Sequence, residues 1–211
     1  MDPRTQTFEA LSKGIIKKLE ARQMEGRFFA TAAECREAIL ELIPAGASVA
    51  TGGAETLKEI GIRSELESGR YDYISRADIT DAASQRAHYG RVATCDWFLM
   101  STNAMTMDGL LVNIDGHGTR VAYLVHGPEN VIVVVGKNKL TLDLDSAIKR
   151  ARNIAAPINS VRLERNTPCT RAGRCMDCLA EDCICSQLVV TRRSHVPGRI
   201  KVFLVAEDLG F

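Results

Sequence analysis
The sequence predicts an α/β protein whose mostly parallel sheet is flanked by helices. Short apolar runs alternate with segments of helical periodicity, the order that builds parallel sheets through helical crossovers. One run, Val131 to Val135, is apolar at every position, the pattern of a strand covered on both faces. The 211 residues are 45% hydrophobic and 25% charged, enough apolar material for a core and too little bias for a disordered or repetitive chain.

Local signals justify each element in turn. Phe8, Leu11, Ile15, Ile16 and Leu19 recur at helical spacing over 5–25, and Gly26 is expected to end that helix. A second helix is expected over 31–43, with Thr31 as its cap and Glu34 at the capping-box position. Pro44-Ala45-Gly46 reads as a turn and Ser48-Val49-Ala50 as a short buried strand. Thr56 to Glu59 has capping-box spacing and opens a further helix. Residues 65–90 read as surface helix and loop. Trp97 to Met100 is a second buried strand, and Asp108-Gly109 is a hairpin turn before Leu110-Leu111-Val112. A turn at Asp115 to Gly118 precedes 119–126, where Val121, Leu124 and Val125 fit a helix better than alternation. Gly127-Pro128 stops that segment ahead of the Val131 strand. Residues 141–155 read as a helix with Lys149, Arg150 and Arg152 near the end that its dipole makes negative. Leu188 to Val190 and Ile200 to Val205 read as a late strand pair completing the sheet. The chain, 1–211, is expected to form one unit, with an N-terminal helical segment over 1–45 and a cysteine-rich insertion over 166–186.

Charge and composition narrow the partners. Lys plus Arg is 27 and Asp plus Glu is 26, so a net charge of +1 gives no bulk attraction for nucleic acid or an anionic membrane. No apolar run approaches the roughly 18 residues of a membrane-spanning helix, and the N-terminus lacks a signal-peptide pattern, so a cytoplasmic protein is expected. Of seven cysteines, five fall together: Cys169, Cys175, Cys178, Cys183 and Cys185. Such clustering in a chain of this kind points to a metal or redox centre rather than a disulfide framework. The solitary Cys35 and Cys95 read as small buried apolar residues.

Three polar motifs follow strand-like runs. In Ala50 to Leu57, Gly52 and Gly53 let a ligand approach backbone at a helix start, where unpaired N–H groups favour an anion. The Gly-Lys-Ser/Thr of a Walker loop and the G-x-G-x-x-G spacing are both missing, so no nucleotide-cofactor motif is present. A tight strand-to-helix turn is the plainer explanation of the same residues. Asn103 and then Asn113, Asp115, Gly116, His117 and Arg120 crowd the region where open α/β sheets bind ligands, although two Asp-Gly turns and a cap at Thr119 also account for them. Lys137 and Lys139 directly follow the most buried strand, either to meet a phosphate or carboxylate or to lie in a solvated turn. In the cysteine segment, Cys169-x5-Cys175-x2-Cys178-x4-Cys183-x-Cys185 offers thiolates to zinc or to a [4Fe–4S] cluster, and spacing does not separate these from free thiols. No G-x-S-x-G elbow or H-E-x-x-H pair is present.

Together these segments resemble a known family. Thr51 to Gly61, Ser101 to Ala104, Val112 to Ala122 and Val133 to Lys139 follow the pattern of the LUD-domain (lactate utilisation) proteins. Arg152 to Pro157, Arg162-Leu163, Pro168-Cys169, Gly173-x-Cys175-x-Asp177-Cys178 and Ile184-Cys185 match the short bacterial subgroup with a C-terminal cysteine segment. The resemblance implies a fold like ribose-5-phosphate isomerase, glucosamine-6-phosphate deaminase and the CoA transferases, with a ligand where glycine-rich loops meet strand ends. It implies a site of Gly52, Gly53, Glu55, Thr56, Asn103, Asn113, Asp115, Gly116 and Arg120, with Arg120 or Lys137 as countercharge. It also implies a link to oxidation of L-lactate to pyruvate beside iron–sulfur oxidoreductase partners. Cys169, Cys175, Cys178 and Cys185 match the subgroup's four cysteines, and Cys183 is an extra, candidate substitute ligand. Ala54 stands where the family carries a serine-like residue, which removes a hydroxyl from the loop.

Three functions are consistent with this. The first is a protein of small-carboxylate metabolism that binds a small anionic metabolite at the glycine loops and holds an iron–sulfur cluster or zinc. The second is an isomerase- or CoA-transferase-like enzyme with Glu55 or Glu59 as nucleophile or base. The third is a non-catalytic electron-transfer or assembly subunit. The related folds also raise the expectation of a homo-oligomer.

Overall fold
The computed structural model describes residues 2–77 and 79–211; Met1 and Asp78, which fall in the expected N-terminal segment and surface loop, lie outside the described residues. Helix α1 (Pro3–Ala21) starts at Asp2, whose carboxylate accepts from the Arg4 amide, and buries Phe8, Ile15 and Leu19. It stops before the expected end, and Gly26 lies instead inside strand β1 (Glu25–Phe29). A Cβ at Gly26 would stand 2.8 Å from Ile16 Cγ1, so the glycine lets α1 lie close on the strand. Helix α2 (Ala32–Leu42) is capped as expected by Thr31, which accepts from the Glu34 amide at 3.2 Å. Strand β2 (Ser48–Thr51), helix α3 (Glu55–Glu59), helix α4 (Ile62–Leu66), strand β3 (Asp72–Tyr73), helix α5 (Ala82–Ala93) and strand β4 (Trp97–Ser101) follow. Thr56 is not a cap: α3 begins one residue earlier, and the buried Thr56 hydroxyl reaches Leu209 O at 3.3 Å.

The Asp108-Gly109 turn joins strands β5 (Ala104–Thr106) and β6 (Leu111–Asp115) as an antiparallel hairpin. Helix α6 (Thr119–Val125) settles the 119–126 segment as helical, and strand β7 (Asn130–Gly136) follows. A single 3₁₀ turn over Lys137–Lys139 leads to strand β8 (Leu140–Thr141). Helix α7 (Leu144–Arg150) continues through a π turn, Ala151–Ala155, into helix α8 (Ala156–Arg162), past the expected end at 155. The helix tolerates Pro157 because it falls in the first turn after the π segment, where the local ladder is already shifted. Helix α9 (Pro168–Ala172), strand β9 (Gln187–Thr191) and strand β10 (Ile200–Val205) complete the chain.

Six strands form a wholly parallel sheet in the order β1-β10-β7-β4-β2-β3. Strand side chains alternate faces, so Val131, Val133 and Val135 pack with α1, α5 and α6, whereas Ile132 and Val134 pack with α2, α3 and α4. Strand β10 sits centrally because its apolar side chains serve both faces: Val202 and Leu204 on one, Phe203 and Val205 on the other. The second sheet has the order β8-β5-β6-β9. The late strands are therefore not a pair: β9 joins β6 antiparallel while β10 lies between β1 and β7. Burial explains the division, since β9 leaves Leu188 and Val190 exposed while β10 is buried throughout.

Candidate functional site
The parallel sheet aims the carboxyl ends of β2, β4 and β7 toward one cavity of about 540 Å³. Its walls come from Gly53 to Thr56, Ser101 to Asn103, Ile114 to His117, Thr119, Arg120, Lys139, α8 and the end of the cysteine segment, with Phe211 at one side. The predicted residues Gly53, Glu55, Thr56, Asn103, Asp115, Gly116 and Arg120 line this cavity. Gly52 lies behind it, where a Cβ would stand 3.3 Å from Arg120 Cδ. Asn113 is fully buried behind Arg120, and neither Lys137 nor Glu59 lines the cavity. A second cavity of about 770 Å³, between Leu124–Glu129 and Val189–Ile200, contains none of the candidate residues.

Arg120 is a clamp more than a free countercharge. One terminal nitrogen donates to Ser101 O at 3.0 Å and Asn113 Oδ1 at 2.6 Å; the other donates to Asn103 Oδ1 at 3.0 Å and Ile114 O at 2.6 Å. Four of its five N–H groups are thus committed to protein acceptors. Asp115 stands 3.7 Å from its Nε, and burial holds the guanidinium below its ordinary value. The Asn113 amide must turn its oxygen to this cation, which leaves its buried Nδ2 without a partner among the described residues. The clamp joins the end of β4, the loop after it, β6 and α6 in one rigid wall.

Of the two lysines expected to meet an anion or lie in a turn, the sequence kept Lys137 in the expected site and left Lys139 out of it. It sat in the motif singled out after β7, but the 3₁₀ turn places Lys139, rather than Lys137, on the cavity. Lys139 is 3% exposed, and its Nζ donates to Thr56 Oγ1 at 2.8 Å and Ser101 Oγ at 2.9 Å. Among the described residues no carboxylate comes within ion-pair distance of it. Burial, reinforced by Arg150 and Arg120 and opposed by Glu59, pushes its amine down to about 7. Glu59 itself faces the C-terminal tail and accepts from the Gly210 amide at 2.5 Å.

The lining carries charge of both signs. Arg76, Arg162 and Arg165 join Arg120 and Lys139, against Glu55, Asp115, Glu181 and Asp182. Several carboxylates are already matched: Glu55 pairs with Lys58 at 3.1 Å and Arg162 at 3.9 Å, and Asp182 pairs with Arg165 at 2.9 Å. Arg162 was part of the family pattern but not of the expected site, and the long α7–α8 helix brings it and Arg165 here.

The cysteine segment forms another wall through Glu181 to Ile184 and Ser186. Cys175 Sγ accepts from Arg152 and from the Asp177 amide, each at 3.4 Å, and Cys169 Sγ lies 3.1 Å from Thr167 Oγ1. Burial and the neighbouring Cys183, Cys175 and Cys178 push the Cys185 thiol up to about 11. The thiols suit zinc or an iron–sulfur cluster by chemistry. Among the described residues no three His, Cys, Asp or Glu side chains stand together as a metal-holding group, so the thiols would have to move to ligate either.

Comparison with known proteins agrees with the fold and the motifs. A crystal structure of a DUF162 family protein from Deinococcus radiodurans, at 1.70 Å resolution, matches with a TM-score of 0.54 and 16% identity, covering 97% of this chain and 99% of that one. This likeness shows the fold. No curated protein matches the sequence. The LUD domain family matches over residues 12–205, which includes both sheets, the cysteine segment and all the cavity lining but Phe211, and the chain therefore belongs to the LUD domain family.

Proposed function
We propose that this LUD-domain protein binds a small carboxylate in the cavity at the strand ends and acts in small-carboxylate (lactate or pyruvate) metabolism. The observation that carries the reading is Lys139, a buried amine on the cavity wall that has no carboxylate within ion-pair distance among the described residues to balance its protonated form. A buried, unpaired ammonium is costly, and a bound anion relieves that cost. At a separation of about 4 Å the attraction is on the order of 4 kcal/mol in a partly screened site. Arg76, which makes no ion pair with a described residue, adds a second positive group for the same ligand.

Calorimetry tests this with L-lactate and pyruvate, and with lactamide as the uncharged control. The acids bind and lactamide does not; Lys139→Met weakens the acids at least about tenfold, equivalent to about 1.4 kcal/mol. Equal binding of lactamide, or unchanged affinity in the variant, overturns the reading.

One observation favours a transferase reading in a narrowed form. Glu55 lines the cavity and Glu59 does not, so of the two candidate nucleophiles Glu55 is the one a ligand bound there would meet. Mass spectrometry after incubation with an acyl-CoA should then find an adduct on Glu55, and its absence counts against this form. The cysteine segment enters the proposal as a place where Cys169, Cys175, Cys178 and Cys185 would hold an iron–sulfur cluster or zinc once rearranged.

A further inference from the structure
We propose that Lys139 is an imine-forming residue for a small 2-oxo acid bound in this cavity, a reaction that rests on the carboxylate reading above and goes beyond it. Two hydroxyls hold the amine. Ser101 Oγ gives its hydrogen to Val134 O at 2.7 Å, and Thr56 Oγ1 gives its own to Leu209 O at 3.3 Å. Each hydroxyl has one hydrogen, so both meet Lys139 as acceptors. A neutral amine has two N–H bonds and one lone pair. Both N–H bonds are engaged, and the lone pair is left on the amine of a residue that lines the cavity.

The surroundings favour this neutral form. Arg150 from α7 and Arg120 from α6 repel a proton on Lys139, and Glu59 from α3 is the carboxylate that opposes them. Amines held this way, by burial and cationic neighbours, are nucleophilic toward carbonyl carbon near neutral pH. A ligand with a carboxylate and an adjacent carbonyl matches the cavity, since its carboxylate lies between Arg76 and the Lys139 side of the wall and its carbonyl carbon is one bond away from it, beside the amine.

The step balances without another reagent. The Lys139 nitrogen attacks the carbonyl carbon, a C–N bond forms, and the carbonyl oxygen leaves as water with the two amine hydrogens. The product is a C=N bond, with no change of oxidation state.

Borohydride trapping tests it on the intact, unmodified chain. The protein is incubated with pyruvate, reduced with sodium borohydride, digested and mapped by mass spectrometry. A reduced pyruvyl adduct is expected on Lys139, forming faster at about pH 8 than at about pH 6 because the neutral amine is the nucleophile. Excess L-lactate, which has the carboxylate but no carbonyl, should slow trapping. If calorimetry shows pyruvate binding but no adduct maps to Lys139, or adducts scatter over surface lysines, the imine is wrong and the carboxylate reading stands. If neither acid binds, both fall.

Discussion

Replacing Lys139 by methionine gives the sharpest test of the buried amine, because methionine keeps an unbranched chain of similar reach and removes the titrating group. In the folded protein Lys139 ionises near about 7, against an ordinary value of 10.5. Between these values the unfolded chain holds a proton that the folded protein does not, so wild-type stability climbs as pH rises. The penalty of the buried charge is fully present below about pH 7 and is relieved above it. One pH unit in that interval is worth about 1.4 kcal/mol. From about pH 7 to about pH 8.5 the gain is about 1.5 kcal/mol, since the folded amine is still half protonated at the lower limit. Buried thiols act in the opposite direction at higher pH. Burial raises Cys35 to about 12 and Cys95 to about 11, so the unfolded chain loses their protons first and stability falls. Both proteins carry these cysteines, and their effect cancels in the difference. Urea unfolding followed by the fluorescence of Trp97, the one tryptophan and 8% exposed, measures that difference in buffers free of carboxylate. Wild type should gain about 1.5 kcal/mol on the variant across this range. Parallel stability curves would refute the claim that burial holds this amine near neutrality.

Other outcomes follow from the same geometry. Arg120→Lys retains charge but cannot satisfy all four acceptors, so it should cost about 3–5 kcal/mol and about 10 °C in Tm; a loss under about 1 kcal/mol would mean the clamp is not structural. In Gly210→Ala, a Cβ at a φ of +58° would stand 2.5 Å from Thr56 Oγ1 and 3.0 Å from Thr56 N. The variant should lose about 1–3 kcal/mol and weaken acid binding by pulling Thr56 from Lys139, and unchanged calorimetry would separate the tail from the site. Anaerobically purified protein should retain iron with sulfide, or zinc, and proteolysis within 169–186 should slow on metal loading, because the thiols must move to converge. Metal-free protein under those conditions would remove the ligand role.

Much of the fold was legible because its signals are local. Val131 to Val135 announced a buried parallel strand, Asp108-Gly109 a hairpin, and Thr31 a helix cap, each from residues a few positions apart. Strands β1 and β3 were not legible, since Glu25–Phe29 and Asp72–Tyr73 lie at the sheet edges, where a strand needs no continuous apolar run. Nor was the separation of β9 from β10, which depends on what each face meets across the chain. Gly53, Asn103, Asp115 and Arg120 could be expected near one another from sequence, because they follow strand carboxyl ends, and the structure brings them to one cavity. Sequence by itself determined the fold class, the family pattern and the neighbourhood of the cavity. Only the tertiary structure decided that Arg120 is consumed by four protein acceptors and that Lys139, not Lys137, is the buried amine. The physical reason is that a cation's role is set by which distant groups surround it, and here Thr56, Ser101, Arg120 and Arg150 reach Lys139 from four separate stretches of chain.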